Sequence, residues 1–164
     1  MNKDLYEALK NAAFDGWDGK QTDAFFEWAD AEMLKAADTK SFKNLRVREK
    51  IQAGVKAWFL AVAPYKSAAM LILRRVPPHK ALKYLWISAD RLWWAAGDNA
   101  TDFNHYSKRT LLSGVMASTM VYWLNDNSAH HEKTWDFLQN RIEDIMKIGG
   151  VIGKIKTRMR GHAS

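Results

Sequence analysis

Few of the side chains able to do acid–base, nucleophilic or metal chemistry fall at a working spacing. His130, His131 and Glu132 are adjacent in the chain. A helical zinc site needs two histidines four residues apart, and neighbouring residues on a helix point in different directions. This triplet therefore reads as a solvated turn at a helix start. Gly149 to Gly153 reads GGVIG, without the lysine that a phosphate-cradling loop requires. No GxSxG, Walker or GxGxxG pattern occurs. Thr22, Asp23 and Glu27 suit a helix start, with Thr22 or Asp23 as cap, better than an acid–base pair. The absence of cysteine removes a thiolate metal site, a thiol nucleophile and a disulfide scaffold. The residues point away from an enzyme and away from a bound metal or cofactor.

Two other features point toward binding. The chain has eight tryptophans. Trp86, Trp93, Trp94, Trp123 and Trp135 fall on three neighbouring predicted helices. They form either an aromatic core or the wall of a wide apolar cavity for a long hydrophobic ligand. The cavity reading takes Leu85, Trp86, Trp93, Val115, Met116, Met120, Trp123, Trp135 and Leu138 as lining residues. Ser113, Gly114, Ala117 and Ser118 add a stripe of small side chains, which admits either a close helix or a ligand. The second feature is the basic tail. No acid follows Asp144, while Lys147, Lys154, Lys156, Arg158 and Arg160 do. On a helix Ile145, Ile148, Val151, Ile152, Ile155 and Met159 share one face, with basic residues on both flanks. Apolar centre and cationic shoulders suit an anionic membrane interface, at about 1 kcal/mol per basic residue. The membrane contacts would be Ile148, Val151, Ile152, Lys154, Ile155, Lys156, Arg158 and Met159. The alternative is a helix docked on the bundle or on a second copy. Glycines in this segment cost roughly 1 kcal/mol each, so it is predicted to fray in water and to be helical on lipid.

The elements that position these residues follow from the hydrophobic periodicity. The chain has 164 residues, 48% of them hydrophobic, enough for one core. Three prolines lie between Pro64 and Pro78, leaving the rest free to form long helices. Helices are predicted over Lys3 to Phe14, from Thr22 through Met33, over Phe42 to Ala63 and over Tyr65 to Arg74. In the third, Ile51, Val55, Trp58, Phe59 and Val62 form one face, and Pro64 ends it. Pro78 opens a fifth helix lined by Leu82, Leu85, Trp86, Ala89, Leu92 and Trp93, stopped at Gly97. The sixth, from Thr101 to Leu124, is apolar on all sides after Leu111 and is predicted to be the buried centre. Asn125 to Ser128 form a turn. A seventh helix presents Trp135, Leu138, Ile142 and Ile145 inward, and Gly149-Gly150 set off the tail. No strand pattern and no internal repeat appears. The domain is thus 1–146, with 147–164 as a basic amphipathic segment. The start of the chain carries no apolar leader, and the longest uncharged run, 110–125, falls short of the roughly 20 residues that span a bilayer. The expectation is a cytoplasmic protein of bacterial type, peripheral on the inner membrane. The net charge of +7 suits an anionic partner, nucleic acid or membrane. The acid-free cationic run lies beside apolar residues at the C-terminus, which favours membrane and makes DNA the weaker choice.

AGDNATDFNHYSKRTLLSGVMASTMVYWLNDNS, Ala96 to Ser128, followed by TWDFLQNRIEDIMKIG, Thr134 to Gly149, resembles the ubiquinone biosynthesis accessory family, coenzyme Q protein nine. The shared pattern is AGD-x-x-TDFN-x-Y-x-[KR]-R, an Asp- and Ser-rich turn, then TW-x-FL-x-x-R. It covers about 42–146 best; FDGW (Phe14 to Trp17) and VREKI (Val47 to Ile51) extend it more weakly. The resemblance implies an all-α, TetR-like helical bundle of about seven helices plus the C-terminal amphipathic helix, and a homodimer. It implies an apolar pocket for an isoprenoid quinone precursor or phospholipid, no catalysis, and presentation of the lipid to a di-iron hydroxylase of the pathway. By position, Asp98, Asp102, Phe103, His105, Tyr106 and Arg109 would form the hydroxylase-facing patch, though Asp98 and Asp102 also suit helix capping and Arg109 an internal ion pair. The chain departs from the family in having His105 where Trp is usual, and in a shortened N-terminal region. The other reading of a TetR-like fold, a DNA-binding regulator, needs a recognition helix for which the stretch between Trp17 and Phe25 leaves little room.

Overall fold

A computed structural model describes Lys3, Tyr6, Glu7, residues 19–98 and residues 103–160; for 103–104 and 149–160 it describes the backbone alone. Among these residues every regular element is helical. They are α1 (Lys20–Ala37), the single turn α2 (Lys40–Lys43), α3 (Val47–Val62), α4 (Lys66–Arg75), α5 (Pro78–Ala95), α6 (Phe103–Asn125) and α7 (Glu132–Arg160). Lys3, Tyr6 and Glu7 are helical too, and the rest of the helix predicted over Lys3 to Phe14 lies outside the described residues. The all-α expectation holds, with three changes of boundary. The helix predicted from Phe42 to Ala63 is broken at Asn44 to Arg46, where the Leu45 N–H turns back to the Phe42 carbonyl. The Arg46 N–H, left bare at the new start, donates to the Glu49 carboxylate at 2.9 Å. The helix predicted to be capped by Thr22 or Asp23 starts earlier, after Gly19 at φ +88, so Thr22 is buried within its first turn. At the other end α7 runs unbroken through Gly149-Gly150 to Arg160, because the backbone bonds of a long helix carry it across two glycines.

α3 is the axis of the core. α1, α5 and α7 pack on it, and Ile51, Val55, Trp58, Phe59 and Val62 have no accessible surface. Burial of each such side chain stabilises by about 1.5–3 kcal/mol. Gly54 permits the close crossing of α3 and α5: a Cβ there would stand 2.2 Å from a Leu92 methyl carbon. Pro64 lacks the N–H that α3 would need next, and the chain passes through a 3-10 turn, Ala63–Tyr65, into α4. Asp30 ties three helices at one buried point. Its carboxylate accepts from Trp58 Nε1 at 3.0 Å, Ser88 Oγ at 2.6 Å and Arg91 at 2.7 Å. Burial pushes this carboxyl above its ordinary range even though all three donors oppose the shift.

α5 opens at Pro78 and ends in a Schellman turn, as its sequence predicts. Gly97 takes φ +95, its N–H reaches the Trp94 carbonyl, and the Asp98 N–H reaches that of Trp93, both at 3.0 Å. Leu82, expected in the buried stripe, is 47% exposed, because the stripe drifts around the helix and α1 covers only part of the first two turns. α6 is not buried on all sides. Leu112, Met116, Met120 and Trp123 face the core, while Tyr106, Gly114, Val121 and Tyr122 face outward, Val121 with 63% of its surface open. One layer of helices covers α6 from one side only, so apolar residues on its far side stay bare.

The turn from α6 to α7 is held by Asp126. Its carboxylate accepts from the Ser128 N–H at 2.8 Å, the Thr134 N–H at 2.9 Å and the Thr134 hydroxyl at 2.6 Å. Burial alone would raise the Asp126 carboxyl; these bonds outweigh it and hold the group far below the usual carboxylate range. A depressed carboxyl contributes stability that is complete above its unfolded pKa of about 4 and is lost as pH falls toward the folded value. Asp126→Ala is therefore expected to cost about 2 kcal/mol in denaturant unfolding at neutral pH. The gap to the native chain should close as pH drops below about 4; a gap that is the same at both pH values would show that ionised Asp126 does not hold the turn.

Candidate functional site

Two surfaces of α6 carry the residues singled out above. At its N-terminal end lies a corner shared with α5. Arg109 is fully buried, and its guanidinium bonds Asp90, Asp98 at 3.1 Å and the His105 carbonyl at 3.1 Å. Asp98 also accepts from Lys108 at 2.9 Å. Burial works against the ionised Asp98, and the two cations overcome it, so its carboxyl lies below the ordinary range. Lys108 stands 5.3 Å over the Trp93 ring, whose Nε1 donates to the Lys108 carbonyl. His105 lies 3.8 Å from Asp90 and packs edge-on to Trp86 and Tyr106. Tyr106 is 61% exposed, and Trp94 on α5 is half exposed.

This geometry divides the expected partner-facing residues. Arg109 and Asp98 are spent on the internal ion pairs, so the internal alternative holds for them: a guanidinium with no accessible surface cannot touch another protein. The amides that Asp98 would cap, at 99–102, lie outside the described residues. His105 is mostly covered, and Tyr106 alone stands well out. Asp102 lies outside the described residues, and Phe103 is described in its backbone only. Asp90 and Lys108, which complete the network, were missed; both read as ordinary helix charges until α5 and α6 are placed side by side.

At the C-terminal end of α6, an open groove of about 930 Å³ runs between that helix and α7. Val121, Tyr122 and Phe137 form its apolar floor, and Ser118, Asn125, Asp126, Asn127, Ser128 and Lys133 its rim. Tyr122 and Phe137 stack with centroids 4.5 Å apart and rings 10° from parallel. None of the nine residues expected to line a cavity lies along it. Leu85, Trp93, Val115, Met116, Met120, Trp123 and Leu138 are buried members of one packed core. Trp86 and Trp135 are half-buried, Trp135 donating to the His130 carbonyl at 2.8 Å. Trp58, Trp93 and Trp123 thus fill the interior, with Trp123 against Phe59 and Trp58 against Phe25, Phe26 and Phe59 at ring-contact distance, whereas Trp86, Trp94 and Trp135 keep part of their surface open. The small-residue stripe divides too. Ser113 is buried, whereas a side chain at Gly114 would meet open space.

Of the histidines expected in a solvated turn, His130 is exposed, as is Glu132 after them, while His131 is half-buried. His131 packs 5.9 Å from the Trp123 ring and 6.4 Å from that of Trp135. Among the described residues no group of three His, Asp or Glu is arranged to hold a metal. In the tail, Ile148 is 44% exposed; Val151, Ile152, Lys154, Ile155, Lys156, Arg158 and Met159 lie on the helical backbone of α7, with side chains outside the description.

Comparison with known proteins bears on the same region. Residues 79–149, from α5 through the Asp126 turn into α7, match the COQ9 family model. The ubiquinone biosynthesis protein COQ9 of Rattus norvegicus is 36% identical over 94 residues, 57% of this chain and 30% of the rat protein. COQ9-B of Xenopus laevis is 36% identical over 110 residues, 64% of this chain and 37% of the relative. The human protein is 32% identical over 94 residues, 57% and 29% of the two chains. All three are named as mitochondrial, and the chain spans about a third of their length. In overall shape the structure is similar to a TetR transcriptional regulator from Nitrosomonas europaea, with a TM-score of 0.64 over 85% of this chain and 83% of that one. Identity there is 21%, so the likeness speaks for the fold alone. Residues 79–149 of this chain match the COQ9 family model, and the described helices have a TetR-like fold.

Proposed function

We propose that this protein serves ubiquinone biosynthesis as a non-catalytic lipid-binding accessory protein, which holds an isoprenoid quinone precursor or a phospholipid and presents it to a membrane-associated di-iron hydroxylase. The observation that carries the reading is the open apolar groove beside the Asp126 turn, inside the segment that matches relatives named for ubiquinone biosynthesis. A prenyl chain has no hydrogen-bonding groups and needs apolar surface only, which Val121, Tyr122 and Phe137 supply. The cargo site is thereby moved from the tryptophan core, which is packed, to the outer side of the same two helices. The C-terminal half of α7, with its basic flanks, would lie in the membrane interface and set the groove near the bilayer surface. Tyr106, at the other end of α6, would meet the hydroxylase. The open position at Gly114, between these two ends of α6, would receive a second copy in a homodimer. A DNA-binding regulator is supported by the fold likeness alone, while the family match and the groove support the lipid reading.

Three outcomes test this reading. Organic extracts of the purified protein are expected to contain an isoprenoid quinone, a precursor or a phospholipid by mass spectrometry, and Val121→Glu should deplete it; an extract at background level would remove the cargo. Truncation after Met146 is expected to reduce flotation with anionic vesicles while leaving the helical signal of the remaining bundle; undiminished flotation would take the membrane role away from α7. Tyr106→Ala is expected to weaken hydroxylase binding about tenfold, as for an exposed aromatic anchor, with bound lipid unchanged. Equal affinity would place the partner surface elsewhere.

A further inference from the structure

The start of α1 carries a polar group that nothing in the fold uses. Thr22 is 1% exposed, and its hydroxyl has no hydrogen-bond partner. It belongs to a helix start that is uncapped. Gly19 has no side chain to offer the first turn. The Asp23 N–H is the first to reach a carbonyl, that of Gly19 at 3.1 Å, and the Gln21 and Thr22 N–H groups have none within the helix. Gly19 and Thr22 form one wall of an open pocket of about 310 Å³, which Arg75, Val76, Pro77, Lys80 and Tyr84 complete. The backbone fixes the α4–α5 turn that brings these residues. The Val76 N–H closes α4 on the Ile72 carbonyl at 2.8 Å, and the Lys80 N–H opens α5 on the Pro77 carbonyl at 2.9 Å. Charge gathers at the same place. No acid occurs between Glu49 and Asp90, and Arg74, Arg75, His79, Lys80 and Lys83 all lie exposed at this turn or just after it. Helix starts and surface cations are common; a sealed hydroxyl without a partner beside them is not.

We propose that the start of α1 and the α4–α5 turn form a site for the terminal phosphoryl group of a small phosphomonoester, bound by the Thr22 hydroxyl, the Gln21 and Thr22 N–H groups, Arg75 and Lys80. The site shares no residue with the groove or with the Arg109 corner. The chemistry selects a phosphoryl dianion. Every group named donates, and the α1 dipole presents its positive end to the pocket. The Thr22 hydroxyl can rotate to give its proton to a phosphoryl oxygen, which satisfies the orphan. Arg75 and Lys80 match two negative charges, where a carboxylate brings one. Donors from two separate elements also suit a tetrahedral anion better than a planar one. A terminal phosphoryl has three free oxygens for them. The phosphate of a diester backbone has two, and its second substituent must find room against Val76 and Pro77, so duplex DNA fits less well. Asp23, the acid next to Thr22, accepts from the Tyr84 hydroxyl and lines the neighbouring cleft with Lys83 and Arg91, not this pocket.

The test titrates the full, isotope-labelled chain with phenyl phosphate and with diethyl phosphate, a diester. It is run at about pH 8, where a monoester carries both charges, in physiological chloride, which screens loose surface attraction. Amide shifts are read by NMR and affinities by calorimetry. Phenyl phosphate is expected to shift the Gln21 and Thr22 amides saturably and to bind about tenfold more tightly than the diester. Thr22→Val keeps the shape and removes the hydroxyl. It is expected to weaken phenyl phosphate about tenfold, the worth of one hydrogen bond to a charged group, with the melting temperature equal or raised because an unpaired hydroxyl is gone. Lys80→Met should weaken it by a similar factor. Still Gln21 and Thr22 amides, equal affinity for the diester, or undiminished affinity in Thr22→Val would each overturn the site. Shifts of these amides by duplex DNA or anionic vesicles, with none by phenyl phosphate, would overturn it too and assign the turn to a macromolecular surface. The two probes compared on the native chain decide even if neither variant folds.

Discussion

A carboxylate buried to 1% exposure is costly unless donors surround it, and Asp30 is surrounded by three from different parts of the chain. Trp58 comes from α3, and Ser88 and Arg91 from α5, so one acid on α1 sets the mutual position of all three helices. Apolar packing by itself tolerates sliding, whereas three directed hydrogen bonds to two oxygens do not. Everything that bears on function is built outward from that frame. α6 leans on α5 and α7 on α3, so the register of the corner and of the groove is inherited from the helices that Asp30 locks.

The corner at Arg109 extends the same logic one layer outward. A guanidinium without accessible surface requires acids on hand, and Asp90 and Asp98 supply them from the body and the end of α5. The left-handed Gly97 is what lets the chain reverse soon enough to bring Asp98 back over Arg109. The motif around AGD and the KR pair is thus largely a device for joining two helices. Its outward residue is Tyr106, and the distinction matters: substitution of Arg109 empties a fully buried site and takes a partner from both Asp90 and Asp98, which unsettles the fold, while substitution of Tyr106 removes surface alone.

At the opposite end of α6 the balance shifts from stability toward exposure. Val121 and Tyr122 keep apolar surface in the open, where one layer of helices has nothing left to cover them. The Asp126 turn beside them combines very strong hydrogen bonding with left-handed backbone at His130 and His131. A segment so well tied and yet so strained stores free energy.

The sequence by itself determined the helices whose patterns are local. The face from Ile51 to Val62, the stop at Pro64, the start at Pro78 and the turn at Gly97 follow from period and backbone chemistry, and the tyrosine and acid order at Ala96 to Arg109 marked the family. It did not determine where a space would be. Trp123 and Val121 are two residues apart on one apolar stretch, and nothing in their types says that one is sealed in the core and the other is 63% exposed. Which side of α6 is covered depends on α3, α5 and α7 arriving from distant parts of the chain. For the same reason Arg109 looked available to a partner until Asp90 and Asp98 closed on it, and His131 looked solvated until Trp123 lay beneath it. Burial and cavities are properties of helices placed against one another, so they were settled by the tertiary structure alone.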